Sequence, residues 1–307
     1  MFAIVSKSIV ELFLCMAVGF GCQKKGLLSR ETVKGLSAML INVNMSATMV
    51  VAMQNISDPG QFKTCVEFLP VEAAIFLVGA LVGFITCRLL RIDKKRMGIY
   101  MFGLTFPNVG YMGIPVLTQV FGTEGTMYAA VVNLVFNLFA FSFGIKMVCM
   151  GYDRDIRINF ISIIKTPVIF VTFIAVALFY FSVRIPDMIE KPIELLAGMT
   201  TPLSMIILGA IMAGIENIKF LLTNYKMYIM LFMRLLLLPL IFFLALRPFV
   251  HNQLHLSVFV LLPAMPAGTL LSIMANRYDL DDGLASLFVF STTLLCLLTI
   301  PAVSLLL

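Results

Sequence analysis

Ten apolar stretches of about twenty residues, joined by short polar connections, set the limits on what this chain can fold into. They run over 3–22, 35–54, 69–90, 98–120, 126–149, 162–183, 194–214, 225–247, 255–275 and 284–305. Each is long enough to cross a hydrocarbon core as a helix, which takes about 20 residues. In lipid, a spanning segment has to satisfy its own backbone polar groups, and a helix does so within one segment. The sequence therefore predicts an all-α integral membrane protein of ten transmembrane helices. Composition agrees: 61% of residues are hydrophobic and 12% charged, against about 45–50% and 25% in soluble domains. No polar stretch is long enough for a soluble domain. Lys7, an apolar run and then Cys22 give the first span a superficial likeness to a lipoprotein leader. Glu11 interrupts its apolar run, however, and GFGC at 19–22 lacks the usual aliphatic residue, so it reads as a first spanning helix.

Two of the ten spans carry backbone breakers in mid-membrane. FPNVGYMGIP, residues 106–115, sets Pro107 and Pro115 around Asn108, Gly110 and Gly113; LLPAMPAGT, residues 261–269, holds Pro263, Met265, Pro266 and Gly268. Proline lacks a donor and clashes with the preceding turn, and glycine does nothing to hold a helix closed. Broken backbone at membrane depth is tolerated where it is buried in protein or lines a polar cavity. The two breaks are therefore the candidate site. Half-helix N-termini carry partial positive charge and suit a carboxylate, and Asn108 adds an amide that donates or accepts.

The basic residues assign an orientation. Sixteen of the 22 Lys and Arg fall in the first, third, fifth, seventh and ninth connections, among them Lys24, Lys25, Arg30, Lys34, Arg91, Lys94, Arg154, Arg157, Lys165, Lys219, Lys226 and Arg277. Five (Lys7, Lys63, Arg184, Lys191, Arg247) lie at the N-terminus or in even connections, and Arg234 lies inside the eighth span, where it could snorkel to the interface. The positive-inside bias then puts the odd connections in the cytoplasm and both termini outside it, in a multi-pass cell-membrane protein. It also accounts for the net charge of +6 without a nucleic-acid partner.

Three pairs of segments share one period. Phe121 and Tyr278 open similar runs 157 residues apart, Pro107 and Pro263 stand 156 apart, and NMSATMVVAM at 44 matches PLSMIILGAI at 202 with an offset of 158. The halves are 1–150 and 151–307, with five spans each. An odd number per half forces the repeats into opposite orientations, the inverted plan of secondary transporters, whose interrupted segments mark the site.

Intramembrane polar residues either line a cavity or bond helix to helix. Asn42, Asn44, Asn133, Asn137, Thr200, Thr201 and Ser204 belong here, and Asn44 and Ser204 sit at nearly equivalent repeat positions. Glu72 is a candidate for the coupling proton, or is solvated near the outer face. His251 and His255 have a zinc-like spacing but no glutamate and no third ligand, and six scattered cysteines lack metal spacing, so neither a metal nor another cofactor is expected. GALVG at 79–83 fits close helix packing.

NVGYMGIPV after Pro107, FGTEG at 121–125, TPLSMIILGA at 201–210 and LLPAMPAGTLLSIMANRYDLD at 261–281 resemble the auxin efflux carrier family over essentially the whole chain. Bacterial members of that family are permeases for malate or other organic acids. The resemblance implies two inverted five-helix repeats, divided into scaffold and transport bundles, with helices four and nine broken and crossing at their prolines. It places Pro107, Asn108 and Pro115 in the first crossover and Pro263 and Pro266 in the second. The chain departs from the family in three ways. NVNMSATM replaces the usual mid-helix proline region of helix two, Met265 stands where some relatives carry a polar residue, and the long loop of the plant carriers is missing.

The expected function is secondary transport of a small organic anion by alternating access, with the lipid bilayer as surroundings and a homodimer left open. A bile acid–sodium symporter-like carrier is the nearest alternative; it would need sodium ligands beside the crossover. An enzyme would need a nucleophile and base, or metal ligands, at one membrane depth, and no such set is present. A receptor would bind without accumulation.

Overall fold

The computed structural model describes residues 2–54, 59–152, 167–181, 183–214 and 224–307, without the side chains of 59–66 and 168. Among them Arg154, Arg157, Lys165 and Lys219 do not fall, nor does the start of the sixth span. The described chain is helical, with one isolated antiparallel bridge between Pro107 and Ala267. Among the described residues, seven helices are long and apolar enough to cross a membrane: Phe2–Lys24, Arg30–Gln54, Glu67–Leu89, Val109–Val148, Asp187–Ala213, Tyr225–Leu246 and Asp282–Ser304.

In chain order the elements are α1 (Phe2–Lys24), α2 (Arg30–Met39), α3 (Met45–Gln54), α4 (Pro59–Leu89), α5 (Lys94–Thr105), α6 (Ile114–Phe139), α7 (Ile145–Val148), α8 (Pro167–Tyr180), α9 (Asp187–Gly198), α10 (Thr200–Ala213), α11 (Tyr225–Phe232), α12 (Leu238–Leu246), α13 (Gln253–Ala264), α14 (Leu270–Arg277) and α15 (Asp282–Ser304). Single π-helical turns at Leu40–Asn44, Ala140–Gly144 and Met233–Leu237 join neighbouring helices without a loop, and another at Val109–Gly113 leads into α6. Such turns insert one extra residue and re-aim the side chains beyond them.

Local chemistry sets the ends. Ser29, Asp93, Asn224, Asn252 and Asp281 each accept a backbone N–H from the first turn of the helix that follows. Within α6 the fourth and fifth expected spans are separated by a kink at Gly122, whose φ of +63° and ψ of −144° are open only to glycine. The fourth span itself, expected over 98–120, is interrupted between Thr105 and Val109; the ninth, expected over 255–275, is interrupted between Ala264 and Leu270.

Outward faces are apolar, as lipid requires: Leu14 and Val18 on α1, Leu77 and Leu81 on α4, and Leu298 on α15 are all exposed. Inside, α1 packs on α10, and α3 on α8 and α9, while α4 packs on α5 and α6 and α12 on α13. Gly79 and Gly83 let α4 approach α5 as the GALVG spacing predicts, with Thr105 and Met101 in van der Waals reach. Among the described residues, basic side chains of the first, third and seventh connections gather at one end. Gln23, Arg30, Lys34, Gly214 and Asp282 line one cavity there, Arg96 pairs with Asp281 at 3.3 Å, and Lys226 donates to the Arg91 carbonyl. At another end Gln54 bonds Val183 and Ile185, and Gln253 bonds the Leu307 carbonyl.

Candidate functional site

The two interruptions meet. Pro107 and Pro266 have no N–H to continue a ladder, so the backbone groups around them find partners across the break. Asn108 donates to the Pro266 carbonyl at 2.8 Å and Gly268 donates to the Phe106 carbonyl at 3.0 Å. Ala267 donates to Thr292 Oγ1 on α15 at 3.1 Å. The crossing is close: a Cβ on Gly268 would lie 3.2 Å from the Pro107 carbonyl oxygen. Two short extended segments thus replace the helical ladder at the center of the protein, and every residue from Phe106 to Val109 is buried.

On one side of this crossing lie helix N-terminal ends. Asn108 caps the Val109–Gly113 turn, its Oδ1 accepting from Tyr111 N–H at 3.2 Å; Thr269 precedes α14. Both borders open on a cavity of about 90 Å³. Its polar wall is Asn108, Asn133, Asn137 and Thr269, and Gly110 and Gly268 expose backbone to it, against an apolar wall that includes Ile41 and Phe136. Asn108 is 3% exposed, and its Nδ2 is a buried donor with no partner. Asn137 turns its amide donor back to the Asn133 carbonyl. The wall can therefore offer an anion two helix N-termini and the unspent amide NH2 of Asn108, with no Lys, Arg or His in its lining.

The other side holds helix C-terminal ends. Arg234, in the π turn between α11 and α12, is 1% exposed. Its Nη1 donates to the Leu104 carbonyl at 2.9 Å and its Nη2 to the Met265 carbonyl at 2.8 Å. It does not snorkel to an interface, as the sequence suggested; the added residue of the π turn belongs to the stretch that carries it inward. Glu72 is also 1% exposed, so it is not solvated near the outer face. Glu72 and Arg234 line one small void of about 10 Å³ with Thr105, Pro107 and Pro263, at the lower limit of room for a single water.

The residues singled out from sequence divide accordingly. Asn108, Gly110 and Gly268 line the larger cavity, and Pro107 and Pro263 line the small void behind it. Gly113 faces Leu262, Pro115 lies buried at the start of α6, and Pro266 and Met265 act through their carbonyls. Asn44 and Ser204 lie away from both spaces: Asn44 Nδ2 donates to the Leu196 carbonyl at 2.9 Å and Ser204 Oγ to Thr201 at 2.8 Å. Thr48 and Thr200 join the same seam at 2.8 Å, so Asn44, Thr48 and Thr200 bond helix to helix while Ser204 bonds within its own helix. His255 is engaged by the Tyr128 hydroxyl at 2.9 Å, beside the Phe68 ring. Sequence reasoning passed over Thr292, one of several hydroxyls on an apolar helix. It also left Arg234 at the wrong depth, although a lone arginine among leucines was signal enough to suspect an internal partner.

Comparison with known proteins places the chain among membrane transporters. The family described as membrane transport protein matches residues 4–304. The uncharacterized transporter MJ1031 of Methanocaldococcus jannaschii is 25% identical over 304 residues, 95% of either chain. An uncharacterized transporter of Methanothermobacter thermautotrophicus is 23% identical over 96% of either chain. The uncharacterized transporter YfdV of Escherichia coli K12 is 20% identical over 92% of this chain and 91% of its own. With a match running from Ile4 to Ser304, the chain belongs to the membrane transport protein family, that of the auxin efflux carriers.

Proposed function

We propose that this protein is a secondary carrier that moves a small organic anion, a carboxylate such as malate or an auxin-like acid, through the crossover by alternating access. In this reading ten spanning helices form two inverted halves, 1–150 and 151–307. The basic connections face the cytoplasm and both termini lie outside it, in the cell membrane. The observation that carries the reading is the buried, unpartnered Nδ2 of Asn108, set where two helix N-terminal ends open on one cavity. Helix N-termini attract anions, and a neutral amide donor completes a carboxylate's shell without fixing it so tightly that it cannot leave.

The cavity volume of about 90 Å³ supports a small cargo, since sites for drug-sized ligands run to about 300–1,000 Å³. That favours a small acid over the bulky anion of a bile acid–sodium symporter-like carrier. The test is uptake into proteoliposomes. Purified protein is screened by thermal shift against mono- and dicarboxylates, and the hits, with labelled L-malate as first probe, are followed as accumulation inside vesicles. Asn108→Ala is expected to lower uptake at least about tenfold, the loss of one hydrogen bond to a charged group. Uptake unchanged by that substitution sinks the site assignment, binding without accumulation sinks the carrier, and strict sodium dependence favours the symporter-like alternative.

A further inference from the structure

Backbone accounting at the crossing leaves two carbonyls that no helix can satisfy. The Leu104 carbonyl sits in the last turn of α5; its partners three and four residues on would be Pro107, which has no N–H, and Asn108, whose N–H goes to Pro266. The Met265 carbonyl follows α13, and the Gly268 N–H that could have closed a turn on it goes to Phe106. One guanidinium reaches both, at 2.9 and 2.8 Å. Each helix C-terminus carries about −0.5 of an elementary charge, so two of them converging sum to about −1, matched by a single Arg. Among the described residues the ion pairs are Lys7–Glu11 and Arg96–Asp281, so Arg234 is held by carbonyls and not by a carboxylate. Unwound carbonyls and half-helix C-termini are the chemistry with which interrupted-helix transporters bind inorganic cations.

From this we infer that Arg234 is the positioning residue of the crossover, a tethered cation that holds the C-terminal ends of both interrupted helices and fills the place an inorganic cation would otherwise take. The inference rests on the carrier reading for its meaning in transport, and its consequence there is uptake that needs no sodium. The planar guanidinium spans two carbonyls at once; a lysine ammonium, a point charge on a flexible stem, reaches one. Arg234 touches neither wall of the anion cavity, so it acts through the geometry of Leu104 and Met265.

The test is thermal unfolding of the purified full-length chain in detergent, which requires no knowledge of the cargo. Wild type, Arg234→Ala, Arg234→Lys and Arg234→Met are melted in choline chloride, in sodium chloride, and in choline chloride with about 10 mM guanidinium or about 10 mM ammonium, since a cation stabilises whatever state binds it. The wild-type midpoint is expected to be equal in sodium and choline. Arg234→Ala is expected to melt about 5 °C or more below wild type and to regain at least about half of that loss with guanidinium but not with equal ammonium. Arg234→Lys is expected to fall between. The inference is overturned if Arg234→Met melts with wild type, if guanidinium fails to rescue Arg234→Ala, or if sodium stabilises wild type. Should Arg234→Ala not fold, the remaining arms decide: an Arg234→Lys midpoint equal to wild type overturns the two-carbonyl clamp, and a reduced one with sodium-indifferent wild type supports it. If wild-type vesicles accumulate no carboxylate, the carrier reading fails while the melting comparison still stands.

Discussion

The backbone N–H of Asn108 donates to the carbonyl of Pro266 at 2.8 Å, joining the two halves of the chain at their interrupted helices. This bond divides the center of the protein into two electrostatic environments. Helix N-terminal ends and the free amide of Asn108 face the larger cavity, while helix C-terminal ends, Arg234 and Glu72 face the small void. An anion is attracted to the first side by dipoles alone. On the second side the Arg234 guanidinium spans the carbonyls of Leu104 and Met265, so the free ends of both interrupted helices are bonded whatever occupies the cavity.

Asn108 has two duties that a single substitution can separate. Its Oδ1 caps the Val109–Gly113 turn, and its Nδ2 points nowhere within the protein. Asn108→Asp keeps an acceptor for Tyr111 N–H, removes the donor and adds negative charge where an anion would sit. The midpoint is expected to fall, because a carboxylate at a position 3% exposed loses its hydration without gaining a cation, and uptake of the best carboxylate is expected to fall by more than the roughly tenfold loss expected of the alanine variant. Uptake retained by Asn108→Asp would remove the amide from the binding role.

Thr292 is the hydroxyl that holds the second break in place. It accepts the Ala267 N–H at 3.1 Å and itself donates back to α15, at Phe288 or Val289. Thr292→Val leaves the Ala267 N–H buried without a partner, which costs about 1–3 kcal/mol. Thr293, one residue on and equally buried, bonds only the Val289 carbonyl of its own helix. Thr293→Val is expected to cost about 0.5 kcal/mol or less on the same measure, because its removal orphans no donor. Denaturation of the two variants in parallel checks the contrast; equal effects would mean that the Thr292 bond contributes nothing particular.

The helices and their breaks were legible because they rest on local chemistry. Pro107, Pro266 and Gly122 interrupt the chain wherever it folds, and the cap residues Asp93, Asn252 and Asp281 start helices by bonding their own first turns. The roles of polar groups within the spans were not legible, because periodicity says nothing about which neighbour a side chain meets. Asn44 and Ser204 occupy matching positions and look like a paired site, yet the structure spends both on helix-to-helix and local bonds. Asn108 reached the cavity because a residue at a break has to face the space that the break creates. Arg234 and Glu72 were judged by distance from a helix end, which fails when an interrupted helix brings carbonyls into the protein interior.

Gly268 tests how close the two breaks must come. A methyl group there would sit 3.2 Å from the Pro107 carbonyl and 3.5 Å from that of Phe106. Both are backbone atoms and cannot swing away, so Gly268→Ala is expected to push the strands apart, lengthen the Gly268–Phe106 bond, and cost about 1–3 kcal/mol. Gly35→Ala, on α2 with nothing within 4 Å, should instead be neutral or stabilise by up to about 1 kcal/mol through helix propensity. Melting of the two variants reads the difference directly, and uptake by Gly268→Ala at wild-type rate would show that the close crossing is not required for transport.

Among the glycines of the described residues, the closest approach of backbone lies away from the crossover, between α1 and α10. A Cβ on Gly19 would come to 2.0 Å of the Ile206 carbonyl oxygen, and one on Gly209 to 1.9 Å of the Met16 carbonyl oxygen. The helices run in the same direction, since Gln23 and Gly214, at their two C-terminal ends, line one cavity. In lipid no hydrophobic driving force holds two such helices together, so close packing across small residues supplies the attraction. A methyl at either position forces the axes apart along the whole contact and forfeits dispersion on both faces. Gly19→Ala and Gly209→Ala are each expected to cost about 3 kcal/mol or more, beyond the usual overpacking range because both clashes are with main chain. Gly21→Ala, two residues further along α1 with nothing within 4 Å, is expected to be neutral or mildly stabilising. Thermal melting of the three variants separates a packing requirement from a mere preference for glycine, and a Gly19→Ala protein as stable as Gly21→Ala would show that the α1–α10 seam is looser than its backbone distances imply.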